Sequence, residues 1–264
     1  MPFPNHHNKH DEAAVVNPDR FLEYVRQQGR FPDRPAPQHG VILCYQRSLF
    51  DYVLARHETV PAGSHWGRDL HLLGEADNTV GVMGRFGIGA PVAAIALEEL
   101  VAWGVTRFVS VGTAGSLQPH IEIGDVVVCE RAIRDEGTSH HYLPPGYDAH
   151  PSPALTDALA AALDEGGLPY TRGAAWTTDA PYRETRAEVR RYQAEGVACV
   201  EMEAAALFAV AAHRGVDVAA LFTISDSLAD LTWRPEFHSD RTRLGLENLY
   251  RVALQALTRE PADS

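Results

Sequence analysis

The chain reads as an α/β fold, a single domain with a central mixed β-sheet flanked by helices on both faces, because short apolar runs alternate with helix-length stretches. Three segments carry that reading. Residues 218–227 read VAALFTISDS, a nearly continuous apolar run of the kind buried on both faces of a sheet. Residues 105–118 read VTRFVSVGTAGSLQ, an alternating strand that runs into a turn of glycines and hydroxyls at 112–116. Residues 197–200 form an apolar strand that passes through Glu201-Met202-Glu203 into an apolar helix over 204–212.

The other elements follow in order. A helix over 18–28 has Asn17 as cap, Pro18 at its first position and Gly29 as its stop. A strand at 41–45 leads into a helix at 48–57, then strands at 69–73 and 80–85, a helix at 91–103 and a strand at 107–111. Further on come a strand at 126–130, a helix at 153–165 capped by Ser152, a strand at 173–177, a helix at 184–195 and a last helix at 241–257. Residues 1–16 read as a flexible tail, with His6, His7 and His10 as solvated side chains in preference to a metal site. The domain then covers 17–264.

Composition narrows the function. A chain of 264 residues in one α/β unit can bury roughly three quarters of its unfolded surface. Its 35 acidic residues outnumber 23 basic ones for a net charge of −12, and Lys9 is the sole lysine, which disfavours nucleic acid and anionic membranes as partners. No apolar run is long enough to cross a bilayer and no signal-peptide pattern opens the chain. Cys44, Cys129 and Cys199 each sit in an apolar strand-like run, so they read as buried free thiols and point to a reducing cytoplasm, with no metal site.

Polar chemistry gathers at three strand ends, where ligands of open α/β sheets bind. Glu203 opens a helix, and a carboxylate there can accept from two vicinal hydroxyls of a ribose. Its bland alternative is a favourable place in the helix dipole. The small residues around Thr113, Ala114 and Gly115 allow close backbone approach, and their amides form a candidate anion nest. Ser225 and Asp226 close the third strand.

These motifs together resemble the nucleoside phosphorylase superfamily, in the branch of bacterial purine nucleoside phosphorylase, uridine phosphorylase and the methylthioadenosine/adenosylhomocysteine nucleosidases. The matching stretches are Gly87-Ile88-Gly89-Ala90-Pro91, the segment from Val111 through Gly124-Asp125-Val126-Val127-Val128, Val200-Glu201-Met202-Glu203, and Ile224-Ser225-Asp226. The resemblance implies cleavage of an N-glycosidic bond, with inorganic phosphate as co-substrate and no cofactor. Asp226 is then the candidate acid, sharing a proton with N7 of a purine, which is typically worth on the order of a hundredfold to ten-thousandfold in rate. Glu203, Met202 and Glu201 make the ribose side. Ala114, Gly115, Ser225 and Tyr182 make the base side, where Asp179 and Arg183 also lie in the specificity loop. Thr113 serves the phosphate.

Departures from the family are as informative. Its phosphate loop, G-D-P-x-R, is replaced by Cys44-Tyr45-Gln46-Arg47-Ser48, and Ser110 stands where an arginine often precedes the glycine turn. Arg47 and Arg85 are the candidate substitutes. The glutamate with which the nucleosidases activate water is absent as well, Asp51 being the nearest acid. Phosphorolysis, hydrolysis and a non-catalytic nucleoside-binding role therefore all stay open, with a purine as the base. His140 and His141 lie in a loop that could approach sugar or phosphate. The family also implies a homo-oligomer, commonly a dimer repeated into a hexamer, in which His65 or Arg68 reaches a neighbour's site.

Overall fold

Along the last long strand, Val218, Ala220 and Phe222 enter one hydrophobic cluster while Ala219 and Leu221 enter another. A period-two division of this kind is what a strand covered on both faces requires. A computed structural model describes residues 6–29, 34–65, 68–146 and 148–259, with the backbone alone at 63–65 and 68.

The helices are α1 (Pro18–Gln27), α2 (Arg47–Arg56), α3 (Ala90–Trp103), α4 (Pro153–Glu165), α5 (Arg186–Ala194), α6 (Ala204–Arg214) and α7 (Asp240–Thr258). The strands are β1 (Gly40–Cys44), β2 (Thr59–His65), β3 (Arg68–Leu73), β4 (Val80–Gly84), β5 (Arg107–Ser116), β6 (Val126–Asp135), β7 (Asp148–Ala149), β8 (Tyr170–Thr178), β9 (Cys199–Glu201), β10 (Asp217–Ser227) and β11 (Arg234–Pro235). They form one mixed sheet. β5 runs parallel to β1 and β10 and antiparallel to β9, while β10 also pairs with β6, β6 with β8, and β8 with β9. The pairings β5–β10–β6–β8–β9–β5 thus close a ring, and β1, β4, β3 and β2 extend from it as an open wing.

One face of the sheet is covered by α3 and α6, whose Leu97, Leu100, Leu207 and Phe208 share a cluster with Phe108 and Phe222. The other carries α2, α4 and α7, with Phe50, Leu159 and Leu249 against Ile42, Val109 and Leu221. Burying each such side chain contributes about 1.5–3 kcal/mol. A third, smaller cluster joins α5 to the ring through Trp176 and Tyr192, whose rings lie 4.6 Å apart. Helix ends obey their residues: Asn17, Ser152 and Ser239 each accept a first-turn amide, and Gly215 closes α6 at φ 68°.

Four expectations need correction. The stretch 112–116 is not a turn, since β5 stays extended to Ser116 with β10 on one edge and β9 on the other. β2 is an additional strand, absent from the expected elements; it lies at the sheet edge with a register shift between Pro61 and Gly63, where proline is tolerated. β6 and β8 run to Asp135 and Thr178, past the predicted ends, because they pair with each other along that whole length. α5 begins at Arg186 and not at 184, because Thr185 and Glu188 form a reciprocal capping box.

Candidate active site

The site lies where β5 changes neighbours. β1 pairs with β5 as far as Cys44 opposite Val111, and β9 takes up the same edge only at Gly115 opposite Val200. Residues 112–114 are left without a strand partner on that edge. Tyr45 and Gln46 leave β1 at this gap. Gln46 Nε2 donates to Thr113 Oγ1 at 2.9 Å, and the Tyr45 hydroxyl lies 3.2 Å from Ser110 Oγ. Gly112 admits the Tyr45 ring, which would stand 3.3 Å from a Cβ there. Ser110 thereby supports the Tyr45 ring as an aromatic wall of the gap.

At the β9–α6 junction two carboxylates have separate tasks. Glu201 Oε2 accepts the amides of Glu203 and Ala204, both at 2.8 Å, and its Oε1 accepts the Thr177 hydroxyl. Thr177 in turn accepts the amide of Ala205 at 3.0 Å. Glu201 and Thr177 therefore satisfy the first turn of α6, and Glu203, the formal cap residue, makes no side-chain cap bond. Glu203 Oε1 is held from across the fold by the amide of Gly89 at 2.5 Å. Gly89 has φ 102°, a backbone that favours glycine. Burial pushes both carboxyls above the usual range, most of all Glu203, where the charge of Glu201 adds to it. Met202, between them, is half-buried.

β10 supplies the opposite wall. A register shift between Ile224 and Asp226 bulges Ser225 out of the ladder and sets Asp226 opposite Gly115. Asp226 Oδ1 accepts from Ser225 Oγ at 2.8 Å and Oδ2 from Trp233 Nε1 at 2.9 Å. A Cβ at residue 115 would lie 2.9 Å from Asp226 Oδ2 and 2.8 Å from Leu228 Cδ1, so any larger residue there would push the carboxylate and Leu228 aside. Burial raises the Asp226 pKa, and the bonds from Trp233 and Ser225 oppose that rise. Glu184, just ahead of α5, faces Asp226 closely enough to feel its charge. Burial first, then Asp226 and Glu188, push Glu184 up to about 7.

Other expected residues are placed elsewhere. Arg85, at φ 57°, is engaged by Asp51 at 2.8 Å and Asp69 at 3.0 Å. Arg47 has a side chain 80% exposed and lies 3.5 Å from the same Asp51. Tyr182 is 99% exposed, and Asp179 accepts the Gly137 amide at 2.8 Å. His140 is tied to its own loop through Arg134, and His10 Nε2 lies 3.1 Å from the His140 carbonyl, so part of the histidine-rich start is bound to that loop. The side chains of His65 and Arg68 lie outside the described residues. Among the described residues no cluster of His, Cys, Asp or Glu could hold a metal ion, and no helix is long and apolar enough to cross a membrane. The three cysteines are buried and free.

Trp233, Gln46 and Glu184 were not singled out from sequence. Glu184 was legible only as a helix start, and nothing in its spacing ties it to Asp226. The signal for Gln46 was the loss of the glycine and arginine expected around it.

Residues 50–258 match the phosphorylase superfamily. The chain is 36% identical over 177 residues to the guanosine phosphorylase of Halorubrum lacusprofundi, covering 65% of this chain and 73% of that one. It is 33% identical over 156 residues to the uridine phosphorylase of Salmonella typhimurium, covering 54% and 62%. The crystal structure of uridine phosphorylase from Vibrio fischeri aligns with a TM-score of 0.70 at 25% identity, over 86% of this chain and 92% of that one. With its ring of strands, the carboxylates at the ends of β9 and β10 and a match over most of its length, the chain belongs to the phosphorylase superfamily.

Proposed function

We propose that the chain cleaves the N-glycosidic bond of a purine nucleoside with phosphate, releasing free base and ribose 1-phosphate. The observation that carries this is Asp226: a carboxyl whose pKa is raised by burial, at a strand end, steered by Ser225 and Trp233. As the bond to the sugar breaks, the departing base gathers electrons on its ring nitrogens, and a protonated Asp226 delivers a proton there. Glu203 accepts the ribose hydroxyls, Met202 packs on the sugar, and Glu201 positions Glu203 through the start of α6. Ala114, Gly115 and Ser225 shape the base side and Thr113 faces the phosphate.

A purine is favoured by two carboxyls on the base side, Asp226 and Glu184, which offer protons and acceptors to a base with several ring nitrogens. The Halorubrum relative is named for guanosine and the Salmonella relative for uridine, so the choice of a purine rests on those two carboxyls. The chemistry needs no cofactor, and buried free thiols suit a reducing cytoplasm. Ile88, next to Gly89, and Ile95 in α3 are 62% and 53% exposed, apolar side chains that a second copy of the chain would cover.

Hydrolysis is the second reading, favoured by the engagement of Arg85 with two aspartates. Incubating the protein with purine and pyrimidine nucleosides, with and without phosphate, separates the two. Base release only with phosphate is expected; equal release without it would sink phosphorolysis. Asp226→Asn should lower kcat on the order of a hundredfold or more, and an unchanged rate would remove Asp226 as the acid.

A further inference from the structure

Gln46 occupies the cap position of α2 and bonds none of its amides. Its side chain crosses to β5, where Nε2 is tied to Thr113, and its Oε1 is buried with no hydrogen-bond partner among the described residues. Register fixes this placement. Two residues beyond the last β1–β5 pair, Cys44 with Val111, stand Gln46 on one side and Thr113 on the other, at the stretch of β5 with no strand on that edge. A buried carbonyl oxygen without a donor is destabilising, and such groups persist where a ligand supplies the bond. The two candidate arginines are committed otherwise, Arg85 to Asp51 and Asp69 and Arg47 to solvent and Asp51.

Resting on the phosphorolytic reading above, we infer that Gln46 binds the attacking oxyanion and selects one that carries a hydroxyl, its Oε1 accepting the P–OH of hydrogen phosphate while Thr113 faces the same anion. A carboxamide oxygen accepts and cannot donate, so an anion with no proton has nothing to offer it. Hydrogen phosphate and hydrogen arsenate qualify; sulfate, fully ionised near neutral pH, does not.

The step balances. An unprotonated oxygen of HPO₄²⁻ forms the bond to C1′ as the C1′–N bond breaks. That bond's electron pair goes to the base, which takes the proton of Asp226. Ribose 1-phosphate leaves as its monoanion, and its remaining P–OH proton returns through water to Asp226. Gln46 holds that proton's oxygen throughout and itself gains or loses none.

The test compares wild type with Gln46→Met, close in shape, and Gln46→Glu, which keeps an acceptor and adds charge. Gln46→Met should raise KM for phosphate about tenfold to a hundredfold while KM for the nucleoside stays put. Sulfate should compete poorly with phosphate on wild type, and the gap should close in Gln46→Met. Gln46→Glu should weaken phosphate further yet still discriminate against sulfate, and nucleoside-induced shifts in Tm show that both variants are folded. An unchanged phosphate KM in Gln46→Met, or sulfate bound to wild type as tightly as phosphate, overturns the inference. Phosphate-independent turnover would instead sink phosphorolysis. The shift in Tm on adding phosphate alone then reads Gln46 separately: protection in wild type that is lost in Gln46→Met upholds the oxyanion site, and no protection in wild type overturns it.

Discussion

Two strand-to-helix junctions border the site, and they solve the same local problem in opposite ways. At the start of α6 the free amides are satisfied from outside the cap position, by Glu201 and Thr177, and the cap residue Glu203 is released to meet Gly89. At the start of α2 no side chain among the described residues takes over that task. The cap residue Gln46 has turned away to Thr113, and the first turn holds no acidic group. The first junction keeps its buried Glu203 carboxyl free of capping because Glu201 and Thr177 do that work. The second gives up a stabilising contact to present an amide at the sheet's gap. A polar residue at a helix start is thus freed for function either by delegation or by default, and the two routes differ in what a mutation damages.

Glu201 and Glu203 give the largest separation. Glu201→Ala removes the acceptor of two buried amides and should cost about 2–3 kcal/mol of stability. Glu203→Ala should change stability by about 1 kcal/mol or less, because relieving a buried carboxyl offsets the single Gly89 amide left unpaired, while kcat/KM falls on the order of a hundredfold or more through lost bonds to the sugar. Denaturant unfolding beside nucleoside cleavage reads both. If Glu203→Ala destabilises as much as Glu201→Ala, the division of labour between them is wrong.

The division was only half legible in the sequence. The doublet Glu201-Met202-Glu203 marks the place, and apolar runs on both sides show a strand meeting a helix, but one-dimensional spacing cannot say which carboxylate caps. That depends on Thr177, which β8 brings alongside β9, and on Gly89, over a hundred residues earlier. The strands buried on both faces were readable because their apolar runs are unbroken. β2 was missed because Pro61 argues locally against a strand that the sheet edge accepts. Arg85 looked available because sequence shows its charge and not the two aspartates that the β3–β4 pairing and α2 place around it.

A smaller effect tests the same contrast from the side of the supporting residues. Thr177→Val deletes the hydroxyl that joins Glu201 to the Ala205 amide and should cost about 1–2 kcal/mol, since that amide is buried. Gln46→Ser at α2 should change stability by less than about 1 kcal/mol, because a serine at the cap position satisfies an amide that Gln46 leaves free. Phosphate KM should nevertheless rise. A loss of Tm in Gln46→Ser as large as in Thr177→Val would mean that the Gln46–Thr113 bond holds the fold together and that α2 had no cap to gain.

The least specific effect is the dependence of stability on pH, since several carboxyls share it. Burial raises the carboxyls of Glu201 and Glu203, and Glu184 shifts from 4.5 to about 7. A raised carboxyl binds its proton more tightly folded than unfolded, so its contribution is whole below the unfolded pKa and is lost as pH rises through the folded one. Between pH 4.5 and about 7 the unfolding free energy should therefore fall, and Glu184→Gln, which cannot titrate, should flatten that slope. At the β1–α2 junction burial pushes the Cys44 thiol up to about 12 and the Tyr45 phenol well above its ordinary range, so neither titrates in this window. Asp51, held low by Arg85, acts with the opposite sign and only at more acidic pH. Denaturation midpoints across the window would show it: a slope that persists in Glu184→Gln moves its source to Glu201, Glu203 and Asp226, whereas no slope in wild type would mean that none of these four carboxyls is raised in the folded protein.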